Sequence, residues 1–131
     1  MVIVPDSHKD LLSDNVKAYA YLATLMPNQT PQLTPVWFNW DGTNILINSA
    51  QGRVKDRNIR KNPAVAVLIQ DPQQPLRFIQ IRGKVTDINV DNANEHINFL
   101  SMKYDGIPWK NVPGQVRVIY RILPEHVSTG E

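Results

Sequence analysis

The stretch FIQIRGKVTDI, residues 78–88, alternates apolar or small side chains with polar ones. Alternate residues from Ile79 to Val85 form an apolar face, and those from Gln80 to Thr86 form a polar face. One buried face and one solvent-exposed face are typical of a strand in an antiparallel sheet that covers a core. The stretch therefore predicts an antiparallel β fold.

The segments on either side of this strand extend the pattern. Before it, the apolar run Ala64 to Gln70 predicts a strand buried on both faces, and residues 71–75 form a turn. After it, Asp91 is expected to cap a helix whose apolar residues recur at helical spacing. These are Ala93, Ile97, Leu100 and Tyr104. A loop from Asp105 to Gly114 then leads to a final strand, Val116 to Leu123.

The amino-terminal half predicts three more strands, Val16 to Met26, Gln32 to Trp40 and Asn44 to Asn48, which we expect to form a meander. Two short helices are expected around them. One follows Ser7, where Leu11 and Leu12 can seal it against the body, and the other runs from Arg53 to Lys61.

Six strands and three short helices predict a mainly β, six-stranded antiparallel barrel, closed or nearly closed so that it leaves no sticky edges. The 131 residues fit a single domain, 1–131, with one core. The sequence has no cysteine, which excludes thiolate chemistry and suits the cytoplasm. Neither a signal peptide nor a membrane span is expected, since the first residues have no basic region and no apolar run reaches about 20 residues.

Positive charge is concentrated between Arg53 and Lys61, which hold five of the fourteen basic residues. Arg53 and Lys55 fall at the start of the predicted helix, where cations oppose the helix dipole. A phosphate or carboxylate bound there would explain them, because a helix amino terminus favours anions. On an ideal helix Arg57 and Arg60 share a face with Arg53 and Lys55 lies opposite, so a solvated basic face is the alternative. Nucleic acid is disfavoured, since few aromatic residues are interleaved with the basic ones.

The second unusual segment is PQLTPVWFNW, residues 31–40. Pro35 cannot donate to a β ladder, so it indicates an edge, a bulge or a close ligand. Trp37 and Trp40 are expected on opposite faces, and core or dimer packing would explain either one.

Side-chain catalysts are not evident. His8, His96 and His126 have no metal-ligand spacing and are expected on the surface. No pair of acidic residues and no nucleophilic triad stands out. If the protein is an enzyme, a cofactor must supply the difficult chemistry.

The chain resembles the pyridoxamine 5'-phosphate oxidase-like FMN-binding split-barrel superfamily, and within it the short branch of oxidoreductases that depend on deazaflavin, coenzyme F420. The segments that carry the resemblance are YLATL (21–25), PQLTPVWF (31–38), GRVKDRNIRKNP (52–63), IRGKV (81–85) and PEHV (124–127). The element Arg-x-Lys-x-Arg-Asn, followed by Asn-Pro, is the most specific part.

The resemblance implies a Greek-key-like split barrel that forms a homodimer, with two coenzyme sites between the subunits. Arg53 and Lys55 would hold the coenzyme phosphate, assisted by Arg57 and Asn58. The other implied site residues are Ser49 and Ala50 for the sugar-like chain, Pro35, Val36 and Trp37 for the ring system, and Arg77 and Phe78 contributed across the dimer.

By this resemblance we expect hydride transfer between F420 and a small conjugated or quinone-like organic substrate. The alternatives are an FMN-dependent oxidoreductase and a non-catalytic flavin-binding protein. The sequence reaches Glu131 without the basic carboxy-terminal segment of true pyridoxamine phosphate oxidases, so oxidation of vitamin B6 is not expected. The loop that contains Trp109 is expected to be either a wall or lid of the site or a plain connector.

Overall fold

The computed structural model describes residues 2–131, which form a seven-stranded antiparallel sheet, two α-helices and a 3-10 helix. The prediction of a mainly β split barrel is therefore confirmed. The 3-10 helix spans Asp6–Leu12, and the α-helices are α1 (Val54–Lys61) and α2 (Ala93–Asp105). The strands are β1 (Tyr19–Leu25), β2 (Pro31–Val36), β3 (Phe38–Trp40), β4 (Ile45–Ala50), β5 (Ala64–Gln70), β6 (Phe78–Asn89) and β7 (Arg117–Gly130).

The order of strands across the sheet is β2-β1-β5-β6-β7-β4-β3. The two edge strands, β2 and β3, are consecutive in the chain and are separated only by Trp37. A connection of one residue spans only about 7 Å, so the sheet must curl until its edges meet. The seventh strand arises because Trp37 divides the predicted strand 32–40. Its first part pairs with β1 and its last part pairs with β4, so the expected meander is interrupted there.

The last strand continues beyond the predicted end at Leu123 and reaches Gly130. Pro124 is accommodated because the β6–β7 register shifts beside it, between Arg82 and Gly83. Such a bulge tolerates a residue that cannot donate a ladder hydrogen bond. A Cβ on Gly83 would lie 2.1 Å from the Leu123 carbonyl oxygen, so the two strands approach too closely there for a side chain.

The burial of the strands matches the alternation of β6 but not the expectation for β5. On β6 the residues from Ile79 to Val85 alternate between buried and exposed, as predicted. On β5 one face is buried, whereas Ala66 and Leu68 on the other face are only half-buried, so burial on both faces is wrong.

The helices and the first histidine refine other predictions. The apolar face of α2 is buried, but its N-cap is Asn92, in a left-handed conformation and without a side-chain cap, rather than Asp91. Leu11 and Leu12 are buried, as expected. His8 is buried rather than on the surface, and its Nε2 lies 3.0 Å from the Gly130 carbonyl oxygen. Within residues 2–131, no helix combines the length and apolarity needed to cross a bilayer.

Candidate functional site

A cavity of about 380 Å³ opens where the Trp37 break, the starts of α1 and β7, and α2 come together. This volume lies in the range of ligand pockets in proteins. Five of the residues predicted from the sequence line it: Pro35, Val36, Trp37, Arg53 and Lys55. Their role as coenzyme ligands stays a prediction.

One end of the cavity is cationic, because Arg53, Lys55 and Arg117 line it and no carboxylate does. Arg53 is the N-cap residue of α1 and has extended backbone angles, φ −66° and ψ 161°. The ideal-helix geometry that predicts Lys55 opposite Arg53 does not apply to a residue outside the helix. Both side chains therefore reach the same cavity.

The clustered charges perturb one another. Burial lowers the pKa of Lys55, and the positive charges of Arg53 and Arg117 lower it further. Burial and the charge of Arg53 lower the pKa of Arg117 to about 10. Like charges that shift one another in this way gain stability when an anion binds between them. The cationic end is thus suited to a phosphate or carboxylate group.

Arg117 is a site residue that the sequence reasoning missed. It is 7% exposed, and its backbone pairs with Ala50 across the β4–β7 ladder, so it lies beside the turn that leads to Arg53. The available signal is an arginine directly before the three apolar residues Val118 to Tyr120 at the start of the strand. The sequence does not show that this strand pairs with β4, so the signal could not be placed.

Flat aromatic side chains lie beside the cationic end of the cavity. Trp37 stacks on Tyr104 with ring centroids 5.3 Å apart and planes 3° apart. Trp109 meets Trp37 edge-on at 6.3 Å, and its ring lies 5.2 Å from the Arg117 guanidinium carbon. The Tyr104 hydroxyl donates to the Ala18 carbonyl oxygen at 2.7 Å and so fixes the ring beneath Trp37. The loop that carries Trp109 is therefore a wall of the cavity.

A polar network joins Arg117 to Asn48, which also lines the cavity, and to His96. Arg117 Nε donates to Asn48 Oδ1 at 2.9 Å, and Asn48 Nδ2 lies 3.1 Å from His96 Nδ1. His96 Nε2 lies 2.7 Å from Asn39 Oδ1. His96 is half-buried, so its expected surface position is wrong, and burial together with the charge of Arg117 lowers its pKa to about 4. The imidazole is therefore neutral near pH 7.

The turn before α1 is held by Asp56. Its carboxylate accepts hydrogen bonds from the Gly52 backbone N–H at 3.0 Å, from the Tyr120 hydroxyl at 2.7 Å and from Arg60 Nε at 3.0 Å. Burial alone would raise the pKa of Asp56, but these hydrogen bonds outweigh burial and lower it. Asp56 thus fixes the chain that presents Arg53.

Four other predicted residues lie on or beside the same elements without lining the cavity. Arg57 donates to the Gly52 carbonyl oxygen, so it stabilises the turn. Asn58 is buried and donates to Thr24 Oγ1 at 3.0 Å. Ser49 and Ala50 are buried at the end of β4, next to Arg117.

Arg77 and Phe78 also lie outside this cavity. Arg77 forms ion pairs with Asp10 at 2.6 Å and Asp71 at 2.9 Å, and these pairs raise its pKa. Phe78 is the first residue of β6 and pairs with Gly130 near the end of β7. Their implied contribution across a dimer stays a prediction. Among residues 2–131, no group of three or more metal-ligating side chains is present.

The chain matches a family model and several solved structures. The model of the pyridoxamine 5'-phosphate oxidase family matches residues 5–125. A solved structure named F420 Reductase is 38% identical, with a TM-score of 0.84, and the alignment covers 95% of this chain and 98% of that one.

More distant structures share the fold. A conserved hypothetical protein from Mycobacterium tuberculosis is 19% identical, with a TM-score of 0.75, over 99% of this chain and 86% of that one. General Stress Protein 26 from Bacillus anthracis is 20% identical, with a TM-score of 0.70, over 94% of both chains. No curated protein matches the sequence.

Proposed function

Because the chain belongs to the pyridoxamine 5'-phosphate oxidase family, we propose that it is an oxidoreductase that uses coenzyme F420. Its reaction would be hydride transfer from the reduced coenzyme to a small conjugated or quinone-like organic substrate. The observation that carries the proposal is the cavity in which three cations, Arg53, Lys55 and Arg117, stand without a carboxylate at one end of a flat aromatic wall.

The donor set fits a phosphate-bearing, planar coenzyme. Charge-assisted hydrogen bonds from two guanidinium groups and an ammonium group suit a phosphate, and the Trp37 side of the cavity suits a flat ring. Arg57 and Arg60 have partners within the chain, so they give little support for a longer anionic tail. The preference for F420 rests on the similar structure of that name.

The coenzyme, when bound, supplies the hydride chemistry, and the residues of this chain supply binding and orientation. The three cations would hold the anionic end of the coenzyme, while Trp37 and Trp109, which also line the cavity, would limit the space around its ring. Among the lining residues from 2–131 there is no carboxylic acid, so we expect water to provide the proton that completes the reduction of the substrate.

We propose that the working protein is a homodimer. The outer face of β2, β1 and β5 carries an apolar patch, defined by Tyr19, Tyr21, Leu33, Pro35 and Leu68, which point the same way by strand register. Tyr19 and Pro35 also line the cavity. A second copy seated on the patch would therefore border the coenzyme. A cytoplasmic location stays a prediction.

Equilibrium titration with F420 and with FMN tests the coenzyme. We expect F420 to bind, and Lys55→Ala to weaken binding by about 1.5–3 kcal/mol, or about 10- to 150-fold. Lys61→Ala is the matched control, because Lys61 is exposed at the far end of α1. If FMN binds with micromolar affinity and F420 does not bind, F420 is excluded as the coenzyme. FMN is the second candidate because it also carries a phosphate and has a similar ring.

Steady-state turnover with reduced coenzyme and a panel of quinones tests the activity. We expect oxidation of the coenzyme that depends on the added quinone. Binding without oxidation would instead identify a flavin-binding protein that is not an enzyme.

A further inference from the structure

We propose that Asn48 and His96 are positioning residues, which aim the guanidinium of Arg117 into the cavity and thereby set affinity for the anionic group of the ligand. The proposal rests on the proposed function in taking that group to be the coenzyme phosphate. Neither residue stands out in the sequence as part of a site.

The orientation of the Asn48 side chain follows from two partners whose roles are fixed. The Ala93 carbonyl oxygen accepts only, and it lies 2.9 Å from Asn48 Nδ2. The Nε of Arg117 donates only, and it lies 2.9 Å from Asn48 Oδ1. The amide therefore has one orientation, with its oxygen toward Arg117.

The same logic fixes the proton on His96. The second hydrogen of Asn48 Nδ2 faces His96 Nδ1 at 3.1 Å, so Nδ1 must accept. The ring proton then lies on Nε2, which donates to Asn39 Oδ1 at 2.7 Å. Neutral His96 thus links β3 to β4 through matched donors and acceptors and keeps the Asn48 amide from turning.

The consequence for Arg117 is a guanidinium that is aligned before a ligand arrives. Within residues 2–131 the guanidinium forms two hydrogen bonds: Nε donates to Asn48, and Nη1 donates to Gln115 Oε1 at 3.0 Å. Nη2 is left for a ligand in the cavity that Arg117 lines. A side chain fixed in advance loses less entropy on binding, so its contact contributes more to affinity.

A structural role alone would predict a different pattern of ligand binding. If Asn48 and His96 only pack the cavity, their loss should affect every ligand of the cavity alike. If they act through Arg117, their loss should affect ligands that carry a phosphate and spare those that do not. The pair FMN and riboflavin, and the pair F420 and its phosphate-free deazaflavin, separate these cases.

The variants are Asn48→Leu and His96→Leu, with His96→Gln as the conservative rescue because its side-chain oxygen can still accept from Asn48. His126→Leu is the matched control, since His126 is exposed and remote from the cavity. We expect Asn48→Leu to weaken binding of the phosphate-bearing coenzyme about 10-fold or more and riboflavin or deazaflavin less than about twofold. The affinity of His96→Leu for the phosphate-bearing coenzyme should lie between those of the wild type and Asn48→Leu. His96→Gln should bind this coenzyme almost as tightly as the wild type. The proposal would be overturned if the variants lost affinity equally for the phosphate-bearing and the phosphate-free ligand of a pair, or if they lost no affinity for either.

A second readout does not depend on the identity of the coenzyme. Titration with inorganic pyrophosphate, followed by the NMR signal of the Arg117 Nε–H, reports the anion and the arginine directly. We expect a protected Nε–H signal in the wild type and in His126→Leu, and its loss together with weaker pyrophosphate binding in Asn48→Leu and His96→Leu. If no coenzyme binds but this pattern holds, the proposed function fails and the positioning role stands. Unchanged pyrophosphate affinity in both variants would refute the positioning role.

Discussion

The neutral imidazole of His96 ties the stability of the protein to pH. Its pKa is lowered from 6.5 to about 4, by burial first and by the charge of Arg117 second, and the neighbours that touch it, Asn39 and Asn48, do not titrate. Between these pH values the unfolded chain binds a proton that the folded chain does not, so stability is lost as pH falls through this window. The full shift is worth about 3 kcal/mol by linkage, and partial exposure of the ring reduces this figure.

Urea unfolding of the wild type and of His96→Gln across that pH range measures the effect. We expect the variant, which cannot titrate at this position, to lose less stability on acidification than the wild type. Asp56 and the other carboxylates with lowered pKa lose their contribution only below about 3.8, outside the window. Parallel curves for the two proteins would show that His96 is not the group responsible.

Single residues could be predicted where their signal is local in sequence. Arg53 and Lys55 stand out as cations at the start of a helix, and both line the cavity. Trp37 lines it too, but its place in the site was implied only by the family resemblance, since its local sequence fits core or dimer packing as well. Asn48 and Arg117 reach the cavity because β4 pairs with β7, and this pairing joins positions far apart in the chain. The hydrogen bonds of His96 depend on the same tertiary arrangement.

Among the larger elements, the loop between α2 and β7 places Trp109 against both Trp37 and Arg117. Its ring lies against Arg117 and edge-on to Trp37, so its removal should loosen both contacts. A cation–π contact of this kind is worth about 0.5–2 kcal/mol. We expect Trp109→Ala to weaken coenzyme binding by about 3- to 30-fold and Trp109→Phe by less.

Titration of each variant with the coenzyme measures the effect, and Ile107→Ala is the control from the same loop, because Ile107 is 60% exposed. A loss in Ile107→Ala as large as in Trp109→Ala would mean that loop mobility, rather than the indole, is responsible.

The elements themselves were predicted in type more reliably than in extent. The alternation of β6 identifies it because its two faces meet different surroundings along most of its length. Trp37 and Pro124 mark the two largest errors of extent. Trp37 divides a predicted strand into β2 and β3, which pair with different strands. Pro124 lies inside β7, where a bulge accommodates it. Both outcomes depend on the partner strands rather than on local propensity.

At the level of the whole molecule, the apolar patch on β2, β1 and β5 predicts self-association. Leu33 is 66% exposed and Tyr19 is 51% exposed, although both lie within paired strands of the sheet. Contiguous apolar surface of this kind is typical of interaction sites, and the patch borders the cavity through Tyr19 and Pro35. A two-fold dimer would cover the patch and enclose the open side of the coenzyme site.

A charge introduced at an exposed position of the patch tests this arrangement. We expect the wild type to sediment as a dimer and Leu33→Glu to sediment as a monomer, because a buried carboxylate without a partner costs several kcal/mol at an interface. Coenzyme affinity should fall in the same variant, since the second copy no longer closes the site. Val90→Glu, at an exposed apolar position outside the patch, should remain a dimer with unchanged affinity. If the wild type is instead a monomer, and if Leu33→Glu binds the coenzyme with the same affinity as the wild type, then one chain forms the complete site.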